Sequence, residues 1–136
     1  MKARRLAVGF GALVLAGTTL LACGSDSTST ETATVETYTT VPDADVVSGL
    51  AATQALIDAI VADPTTASST TVDAVNNSWL VYEGNIRLND AATYLDAEDA
   101  LALFSKAALG NDAAGMKTAA DKFRTLAATY TAAHPG

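Results

Sequence analysis

Val72, Val75, Trp79, Tyr82 and Ile86 follow one another at spacings of three, four, three and four residues. Side chains at those intervals share one face of an α-helix, whereas a strand alternates at every second position. The stripe carries the only tryptophan of the chain, so it needs another apolar face to cover it. A helix that begins near Thr70 or Thr71 and carries the whole stripe, packed on other helices, is the expectation. Within it Glu83 and Arg87 form an i,i+4 pair, worth about 0.2–0.5 kcal/mol if exposed.

Helical periodicity recurs on both sides. A first helix is expected over 44–62, with Asp43 or Asp45 at its cap and Asp63-Pro64 at its end, because the residue before a proline avoids the α region. Val46, Leu50, Ile57 and Ile60 or Val61 form its stripe, and 65–71 is a polar loop. Residues 89–95 read equally as a bend or as a continuation of the second helix. A third helix is expected over 96–109, with Asp96 and Asp99 at its cap and first turn, Lys106 in its last turns and Gly110 as the C′ residue. Leu101, Phe104 and Ala108 face inward. The last helix opens at Asn111 or Asp112 and stops at His134-Pro135, burying Met116, Ala119 or Ala120, Phe123, Leu126 or Ala127, and Tyr130. Residues 43–136 suffice for one core. The expected fold is all-α, a small four-helix up-down-up-down bundle with an alanine-rich, thin core.

The N-terminus is built differently. Lys2, Arg4 and Arg5 precede a run over 6–21 without a charge. A basic end followed by a short apolar stretch is the layout of an export signal, and the stretch falls short of the roughly 20 residues a permanent span needs. It ends in Leu20-Leu21-Ala22-Cys23, the only cysteine of the chain. This resembles the lipobox of bacterial lipoproteins. The resemblance implies a signal peptide over 1–22, cleavage before Cys23, and fatty acyl chains such as palmitate on that residue. Each buried CH₂ contributes about 0.8 kcal/mol, so two or three chains hold a protein on a membrane where one does not. The expected location is the cell membrane, lipid-anchored and facing the extracytoplasmic side.

Cleavage would leave five basic residues against fifteen acidic ones, a net charge of −10, with no Lys or Arg between Leu6 and Ile86. Such a chain is repelled by nucleic acid, which is not expected as a partner. Ten of the nineteen residues over 24–42 are Ser or Thr. That composition cannot offset the entropy of ordering a backbone, so 23–42 reads as the lipidated cysteine plus a disordered tether, open to O-glycosylation, with a span of roughly 25 Å.

No catalytic set is legible. His134 is the only histidine, the cysteine is assigned to lipid, and no nucleophile elbow or Gly-rich phosphate loop occurs. No cofactor is expected. The carboxylates remain. Glu83 and Asp90 are seven apart and share a face if one continuous helix carries both, and Glu98 can approach from the next turn or helix, with Tyr82 and Tyr94 as further oxygen donors. Carboxylate and phenolate oxygens suit hard cations. The alternatives are ordinary: Asp96 and Asp99 cap a helix, Glu83 pairs with Arg87, and the remainder is a solvated acidic face.

The stretch Trp79-x-x-Tyr82-Glu83-x-x-Ile86-Arg87, followed by Asp90, Tyr94, Glu98-Asp99 and Leu101, is similar to a helical repeat of imelysin-like periplasmic lipoproteins linked to iron uptake. The likeness covers about thirty residues and implies an envelope protein that handles iron. Two expectations follow. The first is a non-enzymatic, lipid-anchored helical module that binds an unknown protein or small ligand at the cell envelope. The alternative is a metal-handling lipoprotein holding iron or another hard cation through Glu83, Asp90 and Glu98.

Overall fold

The computed structural model describes residues 38–136, which form five α-helices and one 3-10 turn, with no strand among them. The expected signal peptide, Cys23 and the tether as far as residue 37 lie outside the described residues.

Helix α1 (Asp43–Ala62) follows Pro42, whose carbonyl accepts from the amides of Asp45 at 2.8 Å and Val46 at 3.2 Å. Asp43 and Asp45 thus sit inside the first turn, where the macrodipole favours them, and neither caps the helix with its side chain. Val46, Leu50, Thr53, Ile57 and Ile60 are buried, a stripe spaced four, three, four, three. By length and composition α1 is apolar enough to cross a membrane. Much of that apolarity comes from small side chains on its exposed side: Ala51, Ala52, Ala55 and Ala59.

Asp63 ends α1, and its carboxylate accepts from the amide and hydroxyl of Thr65, which starts the 3-10 turn Pro64–Thr66. Helix α2 (Ser69–Leu80) opens on a reciprocal cap: the Ser68 hydroxyl accepts from the Thr71 amide, and the Thr71 hydroxyl accepts from the Ser68 amide.

The second helix differs from expectation. It breaks at Val81-Tyr82, and α3 (Glu83–Asn89) begins as a separate helix. Tyr82 has φ −131° and its amide reaches back only three residues, to the Trp79 carbonyl. The cause lies in α1. The Tyr82 ring is laid against Gly49, where a Cβ would stand 2.4 Å from a ring carbon, and its hydroxyl bonds to the buried Thr53 at 2.8 Å. The apolar period nevertheless carries through the break, since Tyr82 and Ile86 are both buried.

Residues 89–95 resolve as a helix start. Asp90 ends α3 and caps α4 (Ala91–Leu109), accepting from the amide of Thr93 at 3.0 Å and its hydroxyl at 2.6 Å. The third expected helix therefore begins five residues early, and Asp96 and Asp99 are exposed positions within it rather than caps. Its far end also differs: Gly110 keeps right-handed dihedrals and Asn111 takes φ 55°. The Asn111 amide reaches the Ala108 carbonyl and the Asp112 amide reaches Ala107, the bond pair of a Schellman end with asparagine in the left-handed place. Asp112 then caps α5 (Ala113–Ala133) through the Gly115 amide.

α1 packs on α2 and α5, α3 on α4, and α4 along α5. The core joins the stripes of all five helices, and the alanines of α4 and α5, including Ala97, Ala100, Ala119 and Ala120, let those two approach closely. Trp79 meets Tyr82 and Phe123 edge-on, with ring centroids 5.4 and 6.1 Å apart, and stacks on Tyr94 at 6.2 Å.

Candidate functional site

Breaking the second helix re-aims the residues that follow it. Glu83 opens α3 and Glu98 lies two turns into α4, and both are half-buried on a groove of about 310 Å³ between α2 and α4. Trp79, Leu80, Leu101 and Ala102 supply its apolar walls, while Asn76 and Ser105 line it with amide and hydroxyl groups. The indole N–H of Trp79 donates to the Glu98 carboxylate. Trp79 is buried, so this bond carries the position of the aromatic core to the groove.

Two carboxylates fifteen residues apart in sequence thus flank one N–H donor. The Glu83 carboxyl is pushed above the usual carboxylate range by burial first and by the charge of Glu98 second, against the pull of the Trp79 N–H and of Arg87. A raised carboxyl binds its proton more tightly folded than unfolded, so its ionisation weakens the fold as pH rises from about 4.3. Glu83→Gln is expected to remove that part of the slope. Melting temperatures of the two proteins, compared from acid to neutral pH, should diverge in favour of the variant as pH rises. Parallel curves would mean that neither burial nor the charge of Glu98 raises the Glu83 carboxyl.

The structure brings together only two of the three expected metal-site residues. The helix that would carry Glu83 and Asp90 on one face ends at Asn89, and Asp90 is engaged by Thr93. Hydrogen bonds from the Thr93 hydroxyl and amide hold the Asp90 carboxyl below its usual value, with small help from the Ala92 amide and His134. Tyr82 turns its hydroxyl to Thr53, and Tyr94 stacks on Trp79. Among the described residues no three His, Cys, Asp or Glu side chains converge as a metal site would require. His134 stacks on Tyr130 at 4.5 Å, and the Tyr130 hydroxyl accepts from Asn89.

Arg87 pulls on Glu83 electrostatically, but its guanidinium carbon lies 4.4 Å from the ring centre of Tyr38 and 5.4 Å from that of Tyr94. Sequence reasoning also missed Thr53. Its hydroxyl bonds to both Ser78 and Tyr82, joining α1 to α2 in the core. The gap of seven between Leu50 and Ile57 was the signal, since Thr53 stands in phase with both. No family model, curated protein or solved structure matches this chain.

Proposed function

We propose that this chain is a lipid-anchored, extracytoplasmic binding module without enzymatic activity, and that the groove of Trp79, Glu83 and Glu98 receives a positively charged group on an apolar body. The observation that supports the reading is the pairing of two carboxylates with Leu80, Leu101 and Ala102 in one groove. Partly desolvated negative charge beside apolar surface favours an organic cation over a hydrated one. Membrane attachment rests on Leu20-Leu21-Ala22-Cys23. The α2–α3 pair acts as one broken arm of a four-arm up-and-down bundle. The packing of α1 on α2, α3 on α4, α4 on α5 and α5 on α1 supports that count.

A second reading, a carrier of iron or another hard cation, draws on the same Glu83–Glu98 pair with Asp90 as an outlying third carboxylate. Titration calorimetry on the chain from Gly24 onward separates the two. A basic amphipathic peptide should give saturable heat that the Glu83→Gln/Glu98→Gln double variant loses, with no turnover of the peptide. Heat and a raised melting temperature with Fe³⁺, Ca²⁺ or Cu²⁺ instead would replace the first reading by the second, and silence in both arms eliminates both. Mass spectrometry of the native protein tests the anchor: an intact Met1 or an unmodified Cys23 overturns it.

A further inference from the structure

Helix α3 has seven residues, too few to persist on its own in water, and besides its packing on α4 three of its residues engage a segment outside the helices. The Asn85 side chain is 7% exposed and turned to the backbone of Val41. Its Oδ1 accepts from the Val41 amide at 2.8 Å, and its Nδ2 donates to the Val41 carbonyl at 2.8 Å. A carboxamide used in this way pairs with one residue of extended chain as a neighbouring strand would, satisfying both of its backbone groups. One position earlier, Gly84 admits the chain at close range: a Cβ there would stand 2.4 Å from the Thr39 carbonyl oxygen and 3.1 Å from the Tyr38 Cβ. One turn on from Gly84, Arg87 lies over the Tyr38 ring. Val41 packs its side chain on the core. Asn85 meets the amide and the carbonyl, Gly84 gives the backbone its clearance and Arg87 meets the ring, three residues of the same short helix.

We propose that α3 is a docking site for the chain's own residues 38–41. These form a strap, so residues 38–41 belong to the folded body ahead of Asp43, and a pull arriving from the N-terminal side is borne by Asn85 and Arg87 before it reaches the first turn of α1. The break at Val81-Tyr82 has a second use on this account: it gives Gly84, Asn85 and Arg87 an orientation that an unbroken α2 would not.

Amide hydrogen exchange on the full chain tests the strap, with Phe123 in the core as the reference for global opening. The Val41 amide should be protected in the unaltered protein. Gly84→Ala places a methyl against the Thr39 carbonyl without weakening a helix, and Asn85→Ala removes both bonds. Each should lower Val41 protection by about tenfold or more, the loss expected when hydrogen bonds of ordinary net strength go. Phe123 protection should fall by less, and chymotryptic cleavage after Tyr38 should quicken. An unprotected Val41 amide in the unaltered chain overturns the proposal. So does protection at Val41 that survives Gly84→Ala, or that falls only in step with Phe123.

Discussion

Tyr82→Ala is expected to remove about 3–5 kcal/mol of stability, the range for truncating a buried aromatic ring. A domain of this size has about 5–15 kcal/mol in total, so the variant should lie near the edge of folding. Three roles end together. The ring is 1% exposed and fills the space over Gly49. It meets Trp79 edge-on, and its hydroxyl closes the chain of bonds through Thr53 to Ser78. Tyr82→Phe separates them. It keeps the packing and costs about 1 kcal/mol, near the middle of the range for one hydrogen bond, because Thr53 retains Ser78. Gly49→Ala approaches the same contact from α1. Overpacking costs about 1–3 kcal/mol, offset by about 1 kcal/mol of helix propensity. Burial also pushes the Tyr82 hydroxyl well above its usual value, against the lowering bond to Thr53. The unfolded chain then ionises first, near pH 10, and stability falls as pH rises past that point. Tyr82→Phe should flatten this alkaline limb. Chemical denaturation of the three variants, with a loss under about 1 kcal/mol for Tyr82→Ala, would show that α2 and α3 are not held by this ring.

The stripe of Val72, Val75, Trp79, Tyr82 and Ile86 was legible because all five are buried, yet the break inside it was not. A periodic pattern reports which residues face the core, and it survives a change of axis that leaves the facing residues in phase. The clash between a Cβ at position 49 and the Tyr82 ring is a tertiary fact with no local signature. The start of α4 was written in Asp90 and Thr93, an acid three residues before a hydroxyl, but exposed Ala91 and Ala92 give no apolar period to mark it. At the other end of that helix a glycine drew the expectation, while Asn111 took the left-handed dihedrals. The meeting of Glu83 and Glu98 follows from the packing of α3 on α4, so spacing along the chain could nominate each acid but could not pair them. Tyr38 and Val41 were hidden for a different reason. Their Ser/Thr-rich surroundings set the average, and an average conceals one ring and one apolar side chain that find partners in the fold.

Trp79→Ala is the second large effect expected, about 3–5 kcal/mol by the same ring-truncation argument. Its consequences differ from those at Tyr82, because Trp79 touches both the core and the groove. Phe123, Tyr82 and Tyr94 each lose a ring contact, worth about 0.5–1.5 kcal/mol beyond area for a well-oriented pair. Glu98 loses its indole donor as well. Trp79→Phe isolates that bond. Hydrogen bonds to a charged group contribute about 1.5–3 kcal/mol, and the open groove places this one toward the lower figure, since water can replace the N–H. A double-mutant cycle of Trp79→Phe with Glu98→Ala should return a coupling of about 0.5 kcal/mol or more. Glu98→Gln, which keeps an acceptor oxygen but discharges the pair, should lower the Glu83 carboxyl toward its usual range, because the charge of Glu98 is one of the two causes that raise it. Zero coupling in the cycle, with Glu83 titrating unchanged in Glu98→Gln, would leave the tryptophan a packing residue alone. The same result would remove the physical link between the aromatic core and the carboxylates on which the proposed site depends.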